Sequence, residues 1–525
     1  MTRHVGATFA AFLVLHVVVW TLVPVLTRHE LDGDSMMHFG WSLHPQWSYS
    51  LHPPLLPWVI SAYLNTVGVS RLNYILLSQI NIVVAFIAVW MLARELLPPV
   101  QALLAVCLLE LIPFYAHLGI RLNHTSLLIS CWAVATLFFY YALTRGRFVY
   151  WILTGLLAAL AMLGKYYSVA LIGAMGFVLL FTRVGRSALR SPSPYAGMVV
   201  FLVLLGIHVE FVLSNEVGTI RHIGDYFYPG SITARLWSVK FVVVQIAYLS
   251  PLLLVFCLVQ RRKTFPELFR PARDLVRLPA SDSVLICYLL MFFPFLVTAV
   301  PAFLLGVDVS SRWGGPIWGS IGILLLVQNS STLRAEQAET LLRIVFGFMI
   351  VAPVVILVAA AMGVHGDQYT YPGRELGQQF TRIWHEEFDR DLRIVGGDYL
   401  PANSLAFNSP DHPSVLLHMD FNTSPWITAQ DIAQHGMLVV CPRRQACIQH
   451  AERLFPGHEI HALTVRGKRS LFSSYRTQTI LYFFVPPRPA ASTSRSHPSS
   501  MRPRASSTMC CTSGSAPRHA STNSS

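Results

Sequence analysis

Stretches of about twenty apolar residues recur along this chain, and they constrain its fold more than any other feature. A helix of that length spans the roughly 30 Å hydrocarbon core of a bilayer, where every backbone polar group must be satisfied internally. About eleven stretches qualify: 7–26, 72–92, 100–118, 125–143, 148–164, 168–182, 196–214, 237–259, 283–305, 313–328 and 341–363. The region 148–182 reads equally as two short helices or one broken span. Pro53 to Val67 is short, begins with two prolines, and reads as a helix lying at the interface. The first stretch follows Arg3 and His4 with no small-residue cleavage site after it, as in an uncleaved signal anchor. Composition agrees, with 54% hydrophobic residues, a mean hydropathy of +0.51 and only 12% charged residues. An ordinary soluble protein carries roughly 25% charged residues. The bulk of the chain therefore cannot be disordered, and the expected fold is an α-helical polytopic membrane protein.

A net charge of +13 would suit a nucleic-acid partner, but the positions of the cations say otherwise. With the N-terminus inside, the inner loops carry Arg94, Arg145, Arg147, Arg183, Arg186 and Arg190, then Arg261 to Arg277 with six cations. The outer loops carry Arg28, Arg121, Lys165, Arg221, Arg235 and Arg312, mostly as singletons. This is the positive-inside bias of an inner (plasma) membrane protein, and nucleic acid drops out as a partner.

Eleven spans starting inside put everything after residue 363 outside. Residues 1–363 are thus expected to form the transmembrane domain and 364–485 a small extracytoplasmic α/β domain. In the latter a polar helix-like stretch, Arg374 to Arg390, precedes short apolar runs at 392–395, 415–417, 437–441, 460–465 and 479–485. Helix-like stretches at 428–434 and 446–454 lie between some of them. Residues 486–525 are rich in Ser, Pro, Ala and Arg, hold no acidic residue, and are expected to be a disordered tail. Cys107, Cys131, Cys257 and Cys287 read as packing residues in or beside spans. Cys441 and Cys447 can form a local disulfide if the outside is an oxidising periplasm; a zinc pair lacks partners at suitable spacing.

The polar residues that membrane logic leaves over all fall on the outer side. The first outer loop carries Glu30, Asp32, Asp34, His38, Trp41, Trp47, Tyr49 and His52-Pro53-Pro54-Leu55. Its aromatics by themselves read as a solvated loop with an aromatic belt. The two aspartates beside a proline-stiffened turn, which would hold His52 in place, point to a site. Arg121-Leu-Asn123-His124-Thr125 opens a span and contains a helix cap at Asn123 or Thr125. Lys165 lies between two apolar runs, as an anchor snorkelling to the interface or as a compact cation for a phosphate. Arg312 begins the tenth stretch beside Trp313, as an interfacial anchor or a phosphate contact. An acid for proton removal plus cations for a phosphate leaving group is what phosphate-linked group transfer requires.

Asp34, Trp41, Tyr49, His52-Pro53-Pro54-Leu55 and Trp58 together resemble the first outer loop of the polyprenol-phosphate-sugar-dependent glycosyltransferases. These are the GT-C class enzymes of glycosyltransferase family 39 and their aminoarabinose-transferase relatives. Arg121 to Thr125, Gly164-Lys165-Tyr166-Tyr167, Arg312-Trp313 with Pro316, and Tyr371 to Tyr399 resemble later elements of the same family, so the likeness runs from about residue 15 to 485. The departure is a second acidic residue, which many relatives carry just after the loop aspartate or three positions on; here those positions hold Ser35 and Met37, so that either Asp32 substitutes as the second acid or one acid suffices.

The resemblance implies transfer of a sugar from a polyprenyl-phosphate donor to lipid A, lipopolysaccharide or another envelope acceptor at the outer face. Asp34 would take the acceptor proton. Lys165 and Arg312, with Arg121 as a weaker candidate, would meet the phosphate. His52, Asn123 and Asp32 would shape the sugar pocket. No cofactor is obligatory, although a divalent metal ion has a place in some versions of the mechanism. Two other classes remain: a transporter or flippase of a lipid-linked sugar, for which no internal repeat is evident, and an inactive relative serving as an assembly subunit.

Overall fold

A computed structural model describes residues 4–215, 231–260, 281–363, 370–443, 445–467 and 477–488, together with 224, 226 and 228. The cations from Arg261 to Arg277, Arg221, Cys510, Cys511 and the tail from 489 on lie outside the described residues. Residues 1–488 belong to one compact unit.

Seven helices among the described residues are long and apolar enough to cross a membrane. They are α1 (Val5–Thr27), α4 (Arg71–Leu96), α6 (His124–Arg145), α10 (Ser193–Ser214), α11 (Ile232–Gln260), α12 (Asp282–Leu305) and α14 (Ala335–Ala361). The protein is thus a polytopic α-helical membrane protein. The other four expected stretches are helical but short. Residues 100–118 give α5 (Pro99–Cys107) and a 3-10 turn, Leu108–Leu111, that stops before Pro113. Proline cannot supply the next backbone donor, so the stretch ends in turns instead of running on to 118. Residues 148–182 resolve into two helices, α7 (Phe148–Gly164) and α8 (Val169–Phe181), separated by Lys165 and a 3-10 turn. Residues 313–328 begin as 3-10 turns at Ser311–Gly314 and Ile317–Ser320 and become helical only in α13 (Ile321–Asn329). Irregular backbone in a membrane protein is tolerated when it is enclosed by protein, and residues 102–111 and 321–326 are all buried.

Close approach fixes part of the bundle. A Cβ on Gly155 of α7 would lie 1.9 Å from the Gly197 carbonyl oxygen of α10, so only glycine lets these two helices meet backbone to backbone. A buried polar cluster ties α1 to the broken stretch after α5. His16 Nδ1 lies 2.8 Å from Glu110 Oε2, and Trp20 Nε1 donates to Glu110 Oε1. All three side chains are shielded completely, so each needs its partner.

The first loop is not a solvated belt. It folds into α2 (Gly33–Ser42), capped by Asp32, and α3 (Leu55–Val67). Trp41 and Tyr49 stack at 4.9 Å and are 3% and 1% exposed. They share an apolar core with Tyr371, Phe380 and Trp384 of the C-terminal part, because rings this large release more free energy against a second layer than in water.

That C-terminal part is a small α/β layer structure. Helix α15 (Gly373–Phe388) leads into β1 (Ile394–Gly397), α16 (Tyr399–Asn408) and β2 (Ser414–Leu417). Then come α17 (Ala429–His435), β3 (Met437–Pro442), α18 (Gln445–Leu454), β4 (His461–Arg466) and β5 (Thr477–Val485). The strand order is β2-β1-β3-β5-β4, with β1 parallel to β2 and β3, and β5 antiparallel to β3 and β4. Cys441 and Cys447 form a disulfide that ties β3 to α18.

Candidate active site

Four segments far apart in sequence converge on one cavity of about 440 Å³. Its lining includes Asp34 of α2, His52 of the proline turn, Asn123 at the start of α6, Lys165 between α7 and α8, and Arg312 before α13. These are five of the seven residues singled out in the sequence. Arg121 lines a smaller neighbouring cavity, which shares Asn123, Thr125 and Arg312 with the first. Asp32 lines neither.

Each segment is held by local chemistry. Asp32 accepts from Ser35 N at 3.2 Å and from Ser35 Oγ at 2.8 Å, which starts α2 and presents Asp34 in its first turn. Burial raises the Asp32 carboxyl, against the stabilising Ser35 contacts. The His52 carbonyl accepts from Tyr49 N at 3.1 Å, so the turn before Pro53 closes on the stacked Tyr49. Asn123 Oδ1 accepts from Thr125 N and Ser126 N, both at 3.0 Å, in a capping box with Ser126. The cap leaves the amide NH₂ as the group Asn123 offers the cavity. The Arg312 turn is pinned by Gln245 of α11, which donates to the Ser311 carbonyl at 2.8 Å and accepts from Trp318 Nε1 at 3.1 Å.

Lys165 is half-buried. Its Nζ donates to Thr125 Oγ1 at 2.8 Å and sits 4.8 Å from the centre of the Trp313 ring. Burial pushes the ammonium down to about 8, against the pull of the Asp34 carboxylate. It is therefore still a cation at neutral pH. Asp34 and Arg312 are both exposed to the cavity.

The cavity also holds residues that the sequence reading did not assign. His38 and His124 pack ring against ring at 4.7 Å, and His52 lies 4.3 Å from His124. His124 Nδ1 is within 2.7 Å of the Gly164 carbonyl, which joins the α6 turn to the Lys165 turn. Burial pushes the His38 imidazole well below its usual range, so it is neutral at pH 7. Its place one turn after Asp34 on a capped helix was the available signal. Tyr399 of α16 also lines the cavity, and its hydroxyl donates to Asp34 Oδ1 at 3.0 Å. Nothing in the sequence linked Tyr399 to Asp34, which stand 365 positions apart.

Glu30 is drawn the same way. It is 1% exposed and accepts from Ser404 Oγ at 2.6 Å, Asn408 Nδ2 at 2.7 Å and Leu31 N at 3.0 Å. Burial outweighs these contacts and pushes its carboxyl up to about 7.

A set of side chains with metal-ligand chemistry lies elsewhere. His385, Asp391 and Asp411 of the α/β part place one ligand atom each within 4.8 Å of one another. One imidazole and two carboxylates suit a divalent ion. However, His385 Nε2 already meets Asp411 Oδ2 at 2.7 Å, and Leu392 N donates to the same oxygen. None of the three lines the cavity around Asp34.

The sequence profile of the dolichyl-phosphate-mannose-protein mannosyltransferase family matches residues 51–209, the segment that carries His52, Asn123 and Lys165. No curated protein matches the chain significantly. Among solved structures, ArnT from Cupriavidus metallidurans bound to undecaprenyl phosphate is similar with a TM-score of 0.60. It is 13% identical, over 90% of this chain and 97% of that one. The same protein in its apo state gives 0.58 at 13% identity, over 91% and 98%. The oligosaccharyltransferase of Archaeoglobus fulgidus in complex with zinc and sulfate gives 0.43 at 14% identity, over 86% and 71%. The chain shares its fold with ArnT over 97% of that protein's length.

Proposed function

We propose that this protein transfers a sugar from a polyprenyl-phosphate donor to a lipid, glycan or protein acceptor of the cell envelope, at the outer face of the inner membrane. One observation carries the reading. A carboxylate, Asp34, and two cations, Lys165 and Arg312, from three separate segments line one cavity in a fold similar to that of ArnT, which has been solved with undecaprenyl phosphate bound. The reading takes all eleven apolar stretches as spans, the N-terminus as cytoplasmic and residues 364–485 as a periplasmic domain.

In the reaction, the acceptor hydroxyl attacks the anomeric carbon as the bond from that carbon to the phosphate oxygen breaks, with inversion. The electron pair leaves on the polyprenyl phosphate, where Lys165 and Arg312 meet the growing negative charge. The hydroxyl proton passes to Asp34, and general-base help of this kind is worth about 10²–10⁴ in rate. Asn123 and His52 border the sugar. Arg121, through the adjoining small cavity, is placed to help hold the lipid phosphate. Asp32 supports the site by capping α2. No step above requires a divalent ion, and His385, Asp391 and Asp411 do not line the cavity.

Purified protein in lipid vesicles, supplied with radiolabelled polyprenyl-phosphate sugar and an envelope glycolipid fraction, tests the reading. Cleavage of the donor with label appearing in the acceptor is expected, falling at least a hundredfold in Asp34→Asn. Movement of intact donor across the bilayer without cleavage would instead identify a transporter. Donor binding without turnover would identify an assembly subunit.

A further inference from the structure

We infer that Tyr399 is a positioning residue of the active site, delivered by the C-terminal domain, which holds the Asp34 carboxylate by one oxygen so that the other faces the cavity. The inference rests on the transferase reading given above.

Three observations support it. The Tyr399 hydroxyl donates to Asp34 Oδ1 at 3.0 Å, and both residues line the same cavity. The approach is built into the backbone on each side. A Cβ at residue 33 would stand 2.6 Å from Tyr399 Cε1, so Gly33, the neighbour of Asp34, leaves the space in which the ring lies. On the other side, Gly397 has φ +139, a value that L side chains rarely adopt, and it turns the chain from β1 into the first residues of α16. The helix is then anchored farther along, where Ser404 and Asn408 hold Glu30 of the same first loop. One C-terminal helix therefore grips two acids of the loop. The grip on Glu30 lies outside the cavity, and the grip on Asp34 lies inside it.

The consequence is chemical. A carboxylate that accepts a hydrogen bond at one oxygen is held in one orientation. Tyr399 thus keeps Asp34 aimed, which a base needs before the acceptor arrives. Burial and the Asp34 charge in turn push the phenol above its ordinary range, so it stays a donor through any pH at which the protein works.

Tyr399→Phe keeps the ring and removes only the donor. In the vesicle assay we expect kcat to fall about tenfold and donor KM to stay within twofold. In the Asp34→Asn background the same change should cost nothing further. Unaltered kcat in Tyr399→Phe, with wild-type turnover intact, would overturn the inference while leaving the transferase reading in place. A second measurement does not depend on turnover. With ¹³C-labelled tyrosine, Tyr399 should ionise above the usual tyrosine range in the wild type and move down in Asp34→Asn. Were the wild type to show that coupling but no transfer, the contact would stand and the transferase reading would fall. Were Asp34→Asn to leave the Tyr399 titration unmoved, the contact itself would be refuted.

Discussion

Lys165 shows how a single side chain changes meaning once its neighbours are known. In the sequence it is a lone cation between two apolar runs, equally an anchor or a ligand. In the structure it stands beside Thr125 and over the face of Trp313, within the electrostatic reach of Asp34. Its lowered value of about 8 has a definite sign. The charge is complete well below pH 8 and disappears as pH rises through it. If this ammonium meets the donor phosphate, kcat/KM for the donor should fall about tenfold per pH unit above 8, since that quantity reports the free protein. Lys165→Arg, with a guanidinium that does not titrate in this range, should flatten the alkaline limb. Lys165→Ala should raise the donor KM about ten- to hundredfold, the usual cost of a lost charged hydrogen bond. A pH–rate series on the three proteins decides it. Five of the site residues were legible because a polar group beside an apolar stretch is costly and therefore conspicuous. Tyr399 was not, because an aromatic among the mixed residues of the α/β part carries no such cost.

At the scale of elements, the sequence exposed what composition and length control and hid what capping controls. The long spans were read from apolar length, and the strands of the C-terminal part from short apolar runs. Helices α2 and α16 were missed. Both are ten residues long, and neither shows an apolar periodicity. Their signals were an aspartate before the first turn, Asp32 and Asp398, and for α16 also Pro401 within it. Asp32 illustrates the difference this makes. It stood as a candidate second acid, yet both its oxygens are engaged by Ser35. Asparagine caps helices as well as aspartate does. Asp32→Asn should therefore retain transfer within about threefold. Asp32→Ala should loosen α2 by about 1 kcal/mol and reduce transfer more. Activity lost in Asp32→Asn at unchanged thermal stability would restore the acid role.

For the whole molecule, the first loop is the layer through which the helical bundle and the α/β part share a core. Glu30 lies at that junction, near the charges of Arg71 and held by α16. Its carboxyl has a raised value, so the folded protein holds this proton more tightly than the unfolded chain does. The sign follows: stability from this group is greatest at low pH and declines as pH rises from about 4.5 to 7. A shift of that size corresponds to about 3 kcal/mol. Glu30→Gln should abolish this dependence and raise the melting temperature at pH 8 relative to the wild type. Melting curves in detergent between pH 5 and 8 give the comparison, and parallel curves for the two proteins would contradict it.

The bond from Ser404 to Glu30 joins positions 374 residues apart. A ribosome adding about 5–20 residues per second needs roughly 20–75 s to make that interval. For that time Trp41 and Tyr49 have emerged with nothing to lie against, and Glu30 waits without its partners. The protein therefore has a built-in delay between insertion of its first span and the completion of its site. Whatever guards the nascent chain in the membrane must shelter this one loop until α16 has been made.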